Sequence, residues 1–459
     1  MKHYGNRVDD LTITYIGGGS RGWAWTLMSD LARAKDLSGT VRLYDIDPEA
    51  AHVNEVIGNS IPHNFKYEAY SDLAASLKGA DFVVISILPG TFDEMESDVH
   101  TPEKYGIWQS VGDTTGPGGI VRALRTLPMF EVFGRAIRDN CPNAWVINYT
   151  NPMTLCVRTL YKVFPGIRAF GCCHEVFGSQ ALLGKLYGEV TGTEPAPRQE
   201  VKVNVVGINH FTWITEAYCR GMDLFPAYRE FSRKLLSEPA KPIVRDETFS
   251  YFASQDRVKS DTFLRYGAMG AAGDRHLAEF SRGGWYLRSP EIAESWGFTL
   301  TPVSYRKADR IERLKLSADY YSGKVPFKFK DEGEEGVDQM RALLGLGDMV
   351  TNVNLPNRGQ IPNLPADAVV ETNAYFSAGK LQPVMAGNIP ATVLPQVANV
   401  CAIQECVAEA CRKRSLDDAF CGFVCDPLMT LSVNDARKLF DEMVDNTGKY
   451  LTEYKRYVF

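Results

Sequence analysis

The residues Gly17-Gly18-Gly19-Ser20-Arg21-Gly22 form a G-x-G-x-x-G run directly after the β-branched residues 13–16 and before the helix-prone residues 23–34. In that setting Gly17 permits a tight turn and Gly19 lets the backbone approach a pyrophosphate. Ser20, Arg21 and Gly22 then open a helix whose free amides and positive end face the anion. An acidic residue is expected at the end of the second strand, and Asp45 stands 23 residues after Gly22, where its carboxylate can bond the adenosine ribose hydroxyls. A 2′-phosphate would meet that charge, so the pattern predicts NAD rather than NADP.

Four further polar clusters could do chemistry: residues 112–119, 148–153, 172–176 and 207–211. Of the seven histidines, His174 and His210 fall inside two of these clusters and His276 inside a further polar motif, residues 273–276, whereas His3, His52, His63 and His100 do not. Cys173 and His210 offer a thiol and an imidazole, a donor pair suited to a transition metal. Taken singly, each has a plainer explanation, as a packed thiol or a core hydrogen-bond donor. They stand 37 positions apart, which matches no regular metal-ligand spacing.

The elements that must position these residues alternate in the first third of the chain. Residues 11–16, 41–44, 82–87, 145–148 and 167–172 read as buried strands with helix-length segments between them, the rhythm of a parallel, doubly wound α/β sheet. Ligands bind beyond the carboxyl ends of such strands, which is where residues 148–151 and Cys173-His174 fall. From residue 201 the pattern changes to paired strands, 201–207 and 212–218, and a helix over 225–236. The predicted organisation is therefore a Rossmann-type domain, residues 1–200, and a mixed α/β lobe, residues 201–459. Residues 239–284 are polar and weakly periodic, and the charged run 327–336 reads as a solvated loop. A strand is expected over 369–376 and a helix over 396–412.

Composition bounds the alternatives. The chain has 459 residues, 45% hydrophobic and 23% charged, typical of a folded globular protein. Its net charge of −6 gives no global field for nucleic acid or an anionic membrane. Residues 1–10 lack the apolar core of a secretory signal, and residues 82–88 are too short to span a bilayer. A cytoplasmic location is expected. The ten cysteines contain no C-x-x-C pair, so reduced core thiols are expected.

Taken together, residues 17–22, 112–119 with Arg122 and Arg125, 148–153, 173–176, 207–211, Gly273-Asp274-Arg275-His276 and Asn363-Leu364-Pro365 resemble glycoside hydrolase family 4 over nearly the whole chain. The resemblance implies a fold similar to lactate and malate dehydrogenases, bound NAD and a divalent metal, usually Mn²⁺. It also implies glycoside cleavage without the usual carboxylate pair. In that route a hydride leaves sugar carbon 3, a base takes the acidified proton from carbon 2, the glycosidic oxygen is eliminated, and water and the hydride are returned. Cys173 and His210 match the family's metal ligands. Asp274 matches the base of some members, whereas others use a tyrosine, here Tyr266. His174 and Asp113 are both candidates for the acid, Asp113 only with a raised pKa. Asn151 would hold substrate hydroxyls.

The segment Cys173-His174-Glu175-Val176 resembles that of the family's α-galacturonidases, which implies a uronate substrate from pectin-derived oligosaccharides. Arg275, Arg122 and Arg125 are available to pair with its carboxylate, although an inward Glu175 would repel it. Neutral α-glucosides, α-galactosides or a glucuronide are alternatives within the family. Outside it stand an NAD-dependent hydroxy-acid or polyol dehydrogenase and an NAD-sensing binding protein. A homodimer or homotetramer is expected from the resemblance.

Overall fold

A short antiparallel pair, Lys2–Tyr4 (β1) on Arg7–Ile16 (β2), opens the computed structural model, which describes residues 1–62, 64–330 and 333–456. The strands Leu37–Tyr44 (β3), Phe65–Tyr70 (β4), Phe82–Ile85 (β5), Trp145–Asn148 (β6) and Arg168–Gly171 (β7) join β2 in one parallel array, ordered β4-β3-β2-β5-β6-β7. Counted from β2, this is the doubly wound order 3-2-1-4-5-6, with its crevice at the carboxyl ends of β2 and β5.

Side-chain alternation explains why both faces are covered. Phe82, Val84, Ile147 and Phe170 point to the face packed by Trp25, Met28 and Leu31 of helix Trp23–Arg33. Val83, Ile85, Val146 and Ala169 point to the other, packed by Leu124, Leu127 and Phe130 of helix Gly116–Asn140 and by Leu155 and Leu160 of helix Met153–Val163. Such continuous apolar runs belong to strands buried on both faces.

A second sheet begins where the sequence pattern changes. Val201–Ile208 (β8) and Phe211–Cys219 (β9) form a hairpin with Ile208 opposite Phe211, leaving Asn209 and His210 as its two-residue tip. The short strands Met222–Asp223 (β10) and Met269–Gly270 (β11) add to β9. The chain then returns to the first sheet: Met349–Pro356 (β12), Val369–Ser377 (β13) and Lys380–Pro383 (β14) extend it antiparallel beyond β7. The break near residue 201 thus marks the start of a new sheet, while later strands complete the first one.

Two segments differ from expectation. Residues 239–284 contain helices Arg257–Tyr266 and Asp274–Phe280. Their periodicity was hidden because polar side chains such as Lys259, Ser260 and Thr262 are buried alongside Val258 and Phe263. The charged run 327–336 is not simply solvated. Phe327 packs edge-on against Trp25 at 6.4 Å, the Lys330 amide donates to Ser29 Oγ at 3.0 Å, and Glu335 is buried with Arg198 at 2.8 Å. Asp331 and Glu332 of that run, and His63, lie outside the described residues. All ten cysteines are free, and among the described residues no helix is long and apolar enough to cross a membrane.

Candidate active site

The glycine loop follows β2 as the spacing predicts. Gly17 lies at φ +98°, and a Cβ there would come within 2.0 Å of the Ser86 carbonyl oxygen. A side chain on Gly19 would sit 2.6 Å from Ala50 Cβ and 2.9 Å from Asp45 Oδ2. Only hydrogen fits at either position, so the backbone itself forms the floor of the turn. Asp45 Oδ2 accepts the Gly19 amide at 2.8 Å, so the acid and the loop are one unit. Asn54 completes that unit, donating to the Gly18 carbonyl at 2.7 Å and the Ser20 carbonyl at 2.9 Å while accepting from Trp25 Nε1 at 2.9 Å. Arg21 contributes its carbonyl to Arg313 at 3.2 Å, and Gly22 caps the helix. A glycine cradle that admits no Cβ and leads to a helix N-terminus fits a dinucleotide pyrophosphate.

Beyond the carboxyl ends of the strands a cavity of about 340 Å³ is lined by Asp113, Asn151, His174, Glu175, His210, Asp274 and Arg275, and also by Phe252, His276 and Arg306. Seven separate stretches of chain supply them. Asp113 comes from the loop before helix Gly116–Asn140, and Asn151 follows β6. His174 is the N-cap of helix Glu175–Thr191 just after β7, and His210 is the tip of the β8–β9 hairpin.

His210 takes φ +62° at that tip, as tight hairpin turns require. Its Nδ1 lies 3.1 Å from Thr114 Oγ1, and that hydroxyl donates to Asp113 Oδ1 at 2.7 Å. With its one proton committed to Asp113, Thr114 can only accept from the ring, so Nδ1 carries the imidazole hydrogen and Nε2 keeps its lone pair. Burial, with the tilted His276 ring centred 3.9 Å away, lowers His210 to about 3, so the ring is neutral at physiological pH.

Cys173 is 6% exposed and sits among Met153, Val157 and Val369. Burial, with Glu371 and Glu175 adding negative potential, pushes its thiol well above the ordinary range. A polar network joins it to the hairpin tip: Asn352 Nδ2 donates to the Cys173 carbonyl at 3.1 Å and to Glu371 Oε1 at 2.6 Å, and Asn209 Nδ2 donates to Glu371 Oε2 at 3.2 Å. Among the described residues no three His, Cys, Asp or Glu side chains surround a common ion position. A buried thiol near two carboxylates and a neutral imidazole with a free lone pair nevertheless have the donor chemistry of an open divalent-metal site. The unpartnered buried atoms Asn151 Oδ1, Asn209 Oδ1 and His276 Nδ1 lie on the same side chains or their neighbours.

The carboxylates are distinct in state. Burial alone would raise Asp113, but Arg122, His210 and His276 outweigh it and bring it to about 2. This is opposite to the raised value that an acid role for Asp113 requires. Glu175 is likewise held low against its burial by His276 and His210, and it accepts the Gly273 amide at 2.8 Å. Its charge is therefore turned partly onto the protein. Asp274 is fully buried and raised by that burial and by neighbouring Asp256. Its oxygens accept the amides of Arg257 at 2.8 Å and Lys259 at 3.0 Å, at the start of helix Arg257–Tyr266. His174 faces Glu334, Nδ1 to Oε1 2.6 Å, with its ring 6.3 Å from Trp23 on the dinucleotide helix.

Several expected residues lie elsewhere. Tyr266 stacks edge-on against Trp213 at the far end of the helix that Asp274 caps, roughly 14 Å along the axis. Arg125 is paired with Asp98 in the core, both fully buried, and cannot reach a substrate. Arg122 stands behind the cavity, its Nε on the Asn151 carbonyl at 3.1 Å. Glu371, Phe252 and Arg306 were not expected. Only Glu371 carried a signal, as a lone acid within an otherwise strand-like run.

The model for family 4 glycosyl hydrolases matches residues 12–189, and the model for that family's C-terminal domain matches residues 205–429. The chain is 57% identical over 465 aligned positions to an alpha-galacturonidase of Thermoanaerobacterium saccharolyticum, covering 99% of both chains. The crystal structure of lplD from Bacillus subtilis superposes with a TM-score of 0.90 at 51% identity, covering 95% of this chain and 100% of that one. A 6-phospho-beta glucosidase from Thermotoga maritima, solved with manganese, NAD⁺ and glucose-6-phosphate, shares the fold at 21% identity and a TM-score of 0.75, covering 96% of this chain and 99% of that one.

Proposed function

This chain belongs to the family 4 glycosyl hydrolases, and we propose that it is an NAD- and Mn²⁺-dependent α-galacturonidase releasing galacturonate from pectin-derived oligosaccharides. The observation that carries this reading is one cavity at the strand ends, beside a glycine cradle for a dinucleotide, that collects a neutral imidazole, carboxylates and guanidinium groups. The uronate substrate is supported by the full-length relative from T. saccharolyticum, and the cofactors by the NAD- and manganese-bound relative from T. maritima.

The loop Gly17, Gly19, Ser20, Arg21 and Gly22, with Asp45, would hold NAD; Cys173 and His210 would hold the metal. Bound there, they would supply a reversible hydride acceptor and a Lewis acid for the sugar oxygens at carbons 2 and 3. The protein's own groups do the rest. Thr114 and Asp113 fix the His210 tautomer, which is a positioning task that an ionised Asp113 performs well. Asn151, with its unpartnered side-chain oxygen Oδ1, accepts a substrate hydroxyl. Asp274 takes the carbon 2 proton, its desolvated carboxylate being a stronger base than one in water. His174, at the cavity edge and paired with Glu334, gives a proton to the leaving oxygen. Arg275 faces the uronate carboxylate, with Arg122 bracing Asn151 from behind.

The reading places the enzyme in the cytoplasm as a homodimer or homotetramer, acting on pectin-derived oligosaccharides. The test is hydrolysis of digalacturonate with NAD⁺ and Mn²⁺ each added and omitted, following reducing sugar and NADH absorbance together. Release that needs both additions, without NADH accumulation, is expected. Stoichiometric NADH would instead identify a dehydrogenase, and cleavage of neutral α-glycosides alone would overturn the uronate.

A further inference from the structure

A uronate carries a carboxylate where a neutral hexoside carries a hydroxymethyl group, so a site that prefers it must place positive charge there. Two guanidinium groups line the cavity, those of Arg275 and Arg306. They come from different helices and share one aromatic platform: Arg275 Cζ lies 5.1 Å, and Arg306 Cζ 5.9 Å, from the centre of the Phe252 ring. That ring is 52% exposed, so it serves the cavity rather than the core.

The two arginines are unequally committed. Arg275 is tied to the Ser110 carbonyl at 2.9 Å and to the Thr301 hydroxyl, and its buried Nε has no partner. Arg306, in the first turn of helix Val303–Tyr321, has no hydrogen-bond or ion-pair partner among the described residues. A cation in a first turn also faces the positive end of the helix dipole. The carboxylates nearest Arg275 are engaged elsewhere: Glu279 accepts the Val111 and Gly112 amides, Glu175 the Gly273 amide, and Asp113 the Thr114 hydroxyl. Burial and the neighbouring Arg306 together lower Arg275 to about 10. Two like charges beside one ring, with donors uncommitted, are unfavourable until an anion sits between them.

We propose that Arg306, with Arg275 and on the Phe252 platform, receives the substrate carboxylate, and that Arg306 determines the preference for uronides over neutral glycosides. This rests on the galacturonidase reading above. The free guanidinium is pre-positioned by its helix and supplies two donors to one carboxylate. Arg275, already anchored at Ser110 and Thr301, supplies the fixed half of the clamp.

The experiment measures kcat/KM of wild type, Arg306→Ala and Arg306→Lys on digalacturonate and on 4-nitrophenyl α-galactoside, with NAD⁺ and Mn²⁺ present. Thermal melts confirm that each variant is folded. The ratio of uronide to neutral kcat/KM is expected to fall about 100-fold in Arg306→Ala, mostly through KM, and about tenfold in Arg306→Lys, which keeps charge but loses the fork. A ratio unmoved in both variants, with wild type active on digalacturonate, overturns the role of Arg306 alone. A wild-type enzyme inactive on digalacturonate overturns the galacturonidase reading and this one with it.

Discussion

Cys173 combines two properties that seldom coincide in a plain core thiol: it is buried, and the carboxylates of buried Glu371 and half-buried Glu175 add negative potential to it. Without a cation that arrangement keeps the thiol protonated; a bound divalent ion would reverse the balance and favour thiolate. Cys173→Ser is therefore expected to lose Mn²⁺ after dialysis, read by elemental analysis, and to lose glycosidase activity at least about 100-fold, while NAD⁺ binding persists. Retained metal at wild-type stoichiometry would remove Cys173 from the site. At this scale the sequence displayed the donors but not their surroundings. Cys173 and His210 stood out within polar clusters, whereas Glu371 became visible only when β13 placed it beside them.

Helix Phe92–His100 shows how an element is held by its ends. Thr91 and Glu94 form a reciprocal capping box, with the Thr91 amide and hydroxyl each donating to Glu94 Oε2 at 2.7 Å, and Lys449 pairs with Oε1 at 2.7 Å. Burial would raise this carboxyl, but Lys449 and the Thr91 donors outweigh it and hold Glu94 at about 2. A carboxylate depressed in the folded state contributes stability that is present above its unfolded pKa, about 4.5, and is lost as pH falls through the folded value. Glu94→Gln should thus cost about 1 kcal/mol at pH 7 in chemical denaturation, and the gap from wild type should narrow between about pH 5 and pH 2. A gap constant with pH would show that packing, rather than charge, carries the effect. The T-x-x-E spacing of this box is local and readable in sequence. The Asp274 contact with helix Arg257–Tyr266 is not, because the acid lies 17 residues beyond the first amide it accepts.

At the scale of the molecule, the dinucleotide loop, the strand ends and the hairpin tip are brought together by two sheets and by the returning strands β12 and β13. NAD⁺ binding across this junction should raise the melting midpoint, by an amount equivalent to about 2.7 kcal/mol at a hundredfold excess over Kd. Gly17→Ala should abolish that rise, since the residue sits at φ +98° with a backbone oxygen 2.0 Å from the new methyl group. A variant that melts like wild type with and without NAD⁺ would place the cofactor elsewhere.

The parallel sheet, the glycine loop with Asp45, and the paired strands around His210 were legible in the sequence, because these depend on short-range periodicity and turn chemistry. Tertiary structure alone decided the rest. Arg125, indistinguishable from Arg122 by spacing, went to Asp98 in the core. Arg306, 30 residues beyond His276 and on a different helix, arrived in the wall beside Arg275. Asp113 was placed among Arg122, His210 and His276, whose charges hold its carboxyl low despite burial. Each outcome depends on which charges share a desolvated space, and that is a property of chain crossings far apart in sequence.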